Sequence, residues 1–310
     1  MRAHYLLGLA LIPGHAFATP LQIVTDMPVT ASLVQQVTGD LAEVHILLDG
    51  GADPHDFQLR PSQARALQNA DLLVWMGPEL TVWLQTAAEA LGEDRQMALL
   101  HQPGTVLRSY PDTDHASGHG DHDHAHDDHG HGHDHAGIDP HAWLDPDNGR
   151  LWLDQIARRL TELDPENTAR YGAQATRRGA GLAALDMTLA AELAPAQAHP
   201  FVSFHDAYGY FTDHYGLPPA ITVTIGDASA PSAARLQSVR AAISASGARC
   251  VFPEVGHSSR MIDTVAGGLA LAKGAEISPT GADIPPGEDL YEQLLRDLAQ
   301  RILECTAASR

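Results

Sequence analysis

Lysine occurs once in the 310 residues, at Lys273, and cysteine only twice, at Cys250 and Cys305. With 19 basic side chains against 39 acidic ones, the formal net charge is -20. So acidic a surface repels phosphate backbones and anionic lipid; it excludes nucleic acid as a partner and suits the attraction of cations. No segment reaches the roughly 20 apolar residues that a membrane span requires. No His-Glu-x-x-His motif occurs, which removes one familiar zinc-hydrolase signature. No internal repeat is visible either. What is present is length enough for two domains, with apolar content for real cores.

The first residues, "MRAHYLLGLALIPGHAFATP", set Arg2 before an apolar run and the small-x-small triplet Ala16-Phe17-Ala18. This is the layout of an export signal over residues 1–18, with the mature chain starting near Thr19; a buried first strand is the competing reading. No cysteine follows the signal, so no lipid anchor is expected there. Export would carry Cys250 and Cys305 into an oxidising compartment, where an isolated pair is most simply a disulfide. Closing about 55 residues would stabilise the fold by roughly 4 kcal/mol on the chain-entropy model. Without export, two buried thiols would be expected instead. Neither cysteine has the Cys-x-x-Cys neighbour of a metal site.

Strand-like runs alternate with helical patterns. "LQIVTD" and "AEVHILL" flank the helical "VTASLVQQVTG", which Gly39 closes; "SQARALQNA" and the buried run "DLLVWMG" follow. Asp147 is expected to cap a helix running to Leu163. Asp164-Pro165 then starts one long helix of about 30 residues, roughly 45 Å. Leu182, Leu185, Leu189 and Leu193 form its apolar stripe, and Gly179 and Gly181 mark where it could kink. A second alternating set follows: "HPFVSF", "HDAYGYFTDHYG", "RLQSVRAAISASG", "ARCVFPE", "SRMIDTVAGGLA" and "DLYEQLLRDLAQRILEC". The plan is an α/β protein with parallel sheets. A first lobe spans residues 19–163, a linking helix 164–195 and a second lobe 196–310.

Between the two halves of the first lobe lies "HASGHGDHDHAHDDHGHGHDHAG". It contains His115, His119, His122, His124, His126, His129, His131, His133 and His135, with five aspartates. It has nothing to bury, so ordering it would cost backbone entropy without apolar return. Residues 112–137 therefore read as a flexible loop. Its imidazoles are mostly neutral at pH 7 and could share zinc weakly, gathering, relaying or sensing it. The plainer reading is a solvated tract that binds metal incidentally.

Three further histidines share a setting. His55 stands in "GGADPHDFQLRP", His141 in "GIDPHAWLDP" and His205 directly after the apolar run "FVSF". Ligands gather beyond the C-terminal ends of parallel strands, and proline before His55 and His141 stiffens the approach. Asp139 and Asp206 could each receive an imidazole N–H and fix a tautomer. Three neutral imidazoles suit tetrahedral Zn²⁺, whereas Mn²⁺ prefers more carboxylate.

Taken together, "DPHDFQLRPSQARALQNADLLVWMGPEL", "DPHAWLDP", "FHDAYGYF", "VFPE" and "PTGADI" resemble the zinc-binding component of bacterial zinc-uptake ABC transporters, the ZnuA type. The resemblance runs over nearly the whole mature chain. It implies a soluble periplasmic protein of two α/β lobes joined by a rigid helix. Zinc would be held between the lobes by His55, His141 and His205 and handed to an inner-membrane permease. It also implies the His/Asp-rich loop and the Cys250/Cys305 pair. Two departures stand out: Ser278 occupies the place where manganese-type relatives carry a carboxylate, and Pro54 the place of a glutamate found in some zinc members. The fourth ligand is left open among water, a loop histidine and a nearby carboxylate. Glu254 is expected behind the ligands, and His257 away from the metal. A monomer is expected, with periplasmic zinc chaperones as further partners. Rival functions are transport of Mn²⁺ or another divalent ion, a zinc buffer without a permease, and a zinc-dependent hydrolase.

Overall fold

Two four-stranded sheets organise the protein, each wholly parallel and each flanked by helices. The computed structural model describes residues 20–48, 51–110, 137–224 and 231–308. The expected export segment and all nine histidines of residues 115–135 lie outside the described residues.

The first sheet has strands β1 (Leu21–Thr25), β2 (Ala42–Ile46), β3 (Leu72–Trp75) and β4 (Gln96–Ala98), in the order β2-β1-β3-β4. Helices α1 (Pro28–Thr38), α2 (Pro61–Asn69) and α3 (Val82–Leu91) cross between them. β1 and β3 are buried hydrophobic runs, as central parallel strands must be when helices cover both faces. A short antiparallel pair, β5 (Arg108–Ser109) with β6 (Ile138–Asp139), brackets residues 111–136 in sequence. Tyr110 N donates to the Gly137 carbonyl at 2.8 Å and extends that pair.

The second sheet has β7 (Phe201–Ser203), β8 (Ile221–Thr222), β9 (Cys250–Val251) and β10 (Ala272–Lys273), in the order β10-β9-β7-β8. Around it lie α6 (Gly209–His214), α7 (Ala233–Ser246), α8 (Arg260–Ala266) and α9 (Leu290–Ala308). The Cys250–Cys305 disulfide is formed and ties β9 to α9.

Between the sheets run α4 (Pro146–Leu163) and α5 (Thr168–Leu193). Three details differ from the sequence reading. Asp145, not Asp147, caps α4: its side chain accepts from Asp147 N at 2.9 Å, with Pro146 at the first helical position. Asp164 closes α4 and accepts from Asn167 Nδ2 and the Tyr171 hydroxyl, so a 3-10 turn at residues 165–167 precedes the long helix. Gly179 and Gly181 cause no break; the 26 residues of α5 run on as one helix, about 39 Å at 1.5 Å per residue. Its buried stripe of Tyr171, Ala175, Leu182, Leu185, Leu189 and Leu193 offsets the weak propensity of the two glycines.

One apolar core passes from the first sheet through α1, α4, α5 and α9 to the second, while separate clusters fill the outer face of each sheet. Polar links reinforce it. Ser32 Oγ and Gln36 Nε2 donate to the Glu288 carbonyl at 3.0 and 2.9 Å, and Trp143 Nε1 donates to the Pro279 carbonyl at 2.6 Å. Tyr291 OH donates to the Trp143 carbonyl at 2.8 Å. Gly149 lets α4 approach there, because a Cβ would collide with the Tyr291 ring. A continuous close-packed core of this kind resists hinge motion.

Candidate metal centre

His55, His141 and His205 converge although 64 residues separate the last two. One nitrogen of each ring lies within 4.8 Å of the others. His141 and His205 are the closest, Nε2 to Nε2 at 3.4 Å. Ring centroids are 5.4 Å apart for His55 and His141, 6.1 Å for His55 and His205, and 5.2 Å for His141 and His205. They open into a cavity of about 260 Å³ that Asp53, Glu254, His257 and Thr280 also line.

Each histidine is placed by its own device. His205 lies two residues beyond the C-terminal end of β7, the expected position beyond a parallel strand. His55 lies in the connection between β2 and α2, beyond the C-terminal end of a parallel strand as expected, whereas His141 follows β6 of the small antiparallel pair, so for His141 the strand-end expectation is corrected. The two Asp-Pro-His tripeptides fold alike: the Asp carboxylate accepts the histidine backbone N–H, Asp53 from His55 at 2.9 Å and Asp139 from His141 at 3.0 Å. Trp83 Nε1 donates to the Pro54 carbonyl at 2.8 Å and holds the first turn down.

Behind the rings stand buried carboxylates. Asp139 Oδ1 lies 2.8 Å from His141 Nδ1, as the sequence reading anticipates. For His205 the partner is Glu254, 2.7 Å from Nδ1, rather than the neighbouring Asp206; side chains adjacent in sequence diverge, and Glu254 arrives from just beyond β9. An Nδ1–H given to a carboxylate leaves Nε2 facing the cavity as a lone pair, the usual arrangement of a ligating imidazole.

The electrostatics differ between the two rings. Burial, then the charge of His205, holds His141 well below its ordinary pKa, so it is neutral. Burial also opposes charge on His205, but the charge and hydrogen bond of Glu254, with Asp53 and Asp206 adding, outweigh it and raise its pKa. Burial pushes Asp139 up to about 7 against the hydrogen bond from His141 and the charge of Arg108.

Ser278 turns its hydroxyl to Ala282 N at 3.0 Å and lines no part of the cavity. His257 stacks on Phe204 at 4.5 Å and lies 3.8 Å from Glu254 Oε1. It lines the cavity without joining the three-histidine group. Sequence reasoning missed Arg108, whose guanidinium reaches Asp139 from 31 positions away; no local pattern announces such a pair. A second group, Asp145, Asp147 and His214, has metal-ligand proximity. There, however, His214 gives Nδ1 to Asp145 at 3.0 Å and Nε2 to Asp186 at 2.8 Å, which makes it an ion-paired imidazolium rather than a ligand.

Two parallel α/β lobes on a long helical spine, with imidazoles from both lobes on one small cavity, define a binding protein for a small cation. Comparison with known proteins agrees. The model of the family described as "Zinc-uptake complex component A periplasmic" matches residues 23–305. The high-affinity zinc uptake system protein ZnuA of Paracoccus denitrificans is 50% identical over 315 residues, covering 97% of this chain and 96% of that protein. Its namesake in Brucella abortus is 34% identical and covers 91% of each. Among solved structures, the periplasmic zinc-binding protein TroA of Treponema pallidum superposes with a TM-score of 0.77 at 22% identity, over 93% of this chain and 99% of TroA. The chain belongs to the ZnuA family of periplasmic zinc-uptake components.

Proposed function

We propose that this protein captures Zn²⁺ in the periplasm with His55, His141 and His205 and delivers it to an ABC permease in the inner membrane. The observation that carries the reading is the 3.4 Å between the Nε2 atoms of His141 and His205. Two nitrogens bound to tetrahedral zinc at 2.0–2.1 Å stand about 3.3–3.4 Å apart, so the pair already spans one edge of such a site. Three imidazoles with few carboxylates in reach favour Zn²⁺ over Mn²⁺.

The family relationship supports a permease and its ATPase as partners in the uptake system. In the same reading residues 1–18 are an export signal, the mature lobes span 19–163 and 196–310 about the linker 164–195, and the mature protein acts as a monomer that zinc chaperones could load. His115 to His135 gather zinc at lower affinity. Solute binding, not catalysis, is the role: Glu254, the carboxylate placed best to act as a base, is spent on His205 Nδ1.

Competitive titration of metal-free protein with Zn²⁺ and Mn²⁺, beside a His55/His141/His205 triple alanine variant lacking residues 115–135, tests the assignment. One tight zinc site in the parent and none in the variant is expected. Preference for Mn²⁺, or zinc retained by the folded variant, defeats it. Zinc-dependent turnover in a panel of esters, peptides and lactams would favour the hydrolase instead.

A further inference from the structure

Arg108 stands where the two lobes meet. It belongs to β5, yet its Nε donates to Asp213 Oδ2 on α6 at 2.9 Å, and its Nη1 donates to Asp139 Oδ2 at 3.1 Å. Asp139 keeps its other oxygen for His141, accepting from the backbone N at 3.0 Å and facing Nδ1 at 2.8 Å. Tyr210, also on α6, closes the ring of contacts: its hydroxyl donates to the Asp139 carbonyl at 2.8 Å and accepts from Arg108 N at 2.7 Å. Gly209 permits the approach, since a Cβ there would collide with the guanidinium.

The environment makes the contacts effective. The Arg108 side chain is 20% exposed and that of Asp139 not at all, so solvent and salt screen the pair weakly. One cation thus offsets a carboxylate of the first lobe, Asp139, and one of the second, Asp213. A planar guanidinium can direct separate N–H groups at Asp139 and Asp213 at once, which a point-charge ammonium on a flexible stem does poorly.

We propose that Arg108 is a positioning residue for zinc capture: it fixes Asp139 so that His141 is aimed into the cavity, and through Asp213 it ties that aim to the second lobe. The inference rests on the zinc reading above. It extends the control of metal affinity from the carboxylate behind the histidine to the residue that sets the carboxylate.

The test is zinc affinity by chelator competition for wild type, H141A, R108Q, R108K, D139N and the R108Q/D139N double variant, with thermal unfolding of each metal-free form. R108Q should bind about tenfold more weakly, the low end for partners of metal-bound histidines, and R108K should recover part of that loss. Because Arg108 acts through Asp139, the double variant should bind as D139N does. D213N, which cuts only the arm to α6, should release zinc faster with a smaller loss than R108Q. Tight binding by wild type, its loss in H141A, and an R108Q affinity within about twofold of wild type would overturn the inference alone. So would multiplying losses in the double variant, or a D213N form identical to wild type in release. Equal binding by H141A and wild type would overturn the zinc reading, and this inference with it. Should R108Q fail to fold, R108K and D213N carry the same comparisons.

Discussion

Nε2 of His141 and Nε2 of His205 face each other across 3.4 Å, one from the first lobe and one from the second. Each ring is backed on its Nδ1 side by a buried carboxylate, Asp139 or Glu254. Two lone pairs at this separation repel unless a positive charge lies between them. A cation bound here therefore joins the lobes at their interface.

Glu254→Gln should show how much the backing matters. The amide keeps the shape but loses the charge that draws the Nδ1 proton. Zinc affinity should fall by about 10–100-fold, the usual cost of losing such a partner. Isothermal titration of metal-free protein measures it, and an unchanged affinity would remove Glu254 from the site.

The imidazolium of His214 predicts a pH dependence of stability. It bridges Asp145 at the start of α4 and Asp186 on α5, and although burial opposes the charge, these carboxylates raise its pKa to about 9. A pKa raised on folding gives stability that is complete below the unfolded value near 6.5 and is lost as pH rises through about 9. Discounted for partial exposure, the contribution is about 2 kcal/mol. Denaturant midpoints of metal-free wild type and His214→Gln should therefore converge between pH 6 and pH 10. A constant gap across that range would show that the bridge carries no charge-dependent stability.

Removing the Cys250–Cys305 bond should loosen the second lobe, because it joins β9 to the far end of α9 over 55 residues. Replacing both cysteines by serine should cost about 4 kcal/mol on the chain-entropy model. Thermal unfolding reads this directly, and zinc stoichiometry at low temperature should be unchanged, since neither sulfur lines the cavity.

Deleting residues 115–135 should lower the number of zinc ions bound while preserving one tight site. A tract without large apolar side chains gains no burial to offset the entropy of ordering around each metal it holds, whereas the three-histidine site is already assembled. Equilibrium dialysis at rising zinc distinguishes the two classes. Loss of the tight ion on deletion would place the main site in the tract.

Much of the architecture is legible in the chain because it follows from local chemistry. The apolar runs around Ile23 and Leu73 read as strands and the leucine stripe from Leu182 to Leu193 as a core-facing helix side, and both are buried as read. The starts of α4 and α5 lie two and three residues from where the sequence places them. Asp145 and Asp147 both precede the same apolar pattern, and only backbone geometry selects between them. No break opens at Gly179 or Gly181, because burial of the stripe outweighs the propensity cost.

The sequence by itself determined the two-lobed α/β plan, the paired cysteines and the three histidines, since periodicity and short motifs are written within a few residues of one another. Tertiary structure alone decided that Glu254 rather than Asp206 backs His205, that Arg108 grips Asp139, and that His214 sits between two carboxylates. Those pairings join residues tens of positions apart. Their partners are chosen by how the lobes pack around the spine, and no local pattern encodes that choice.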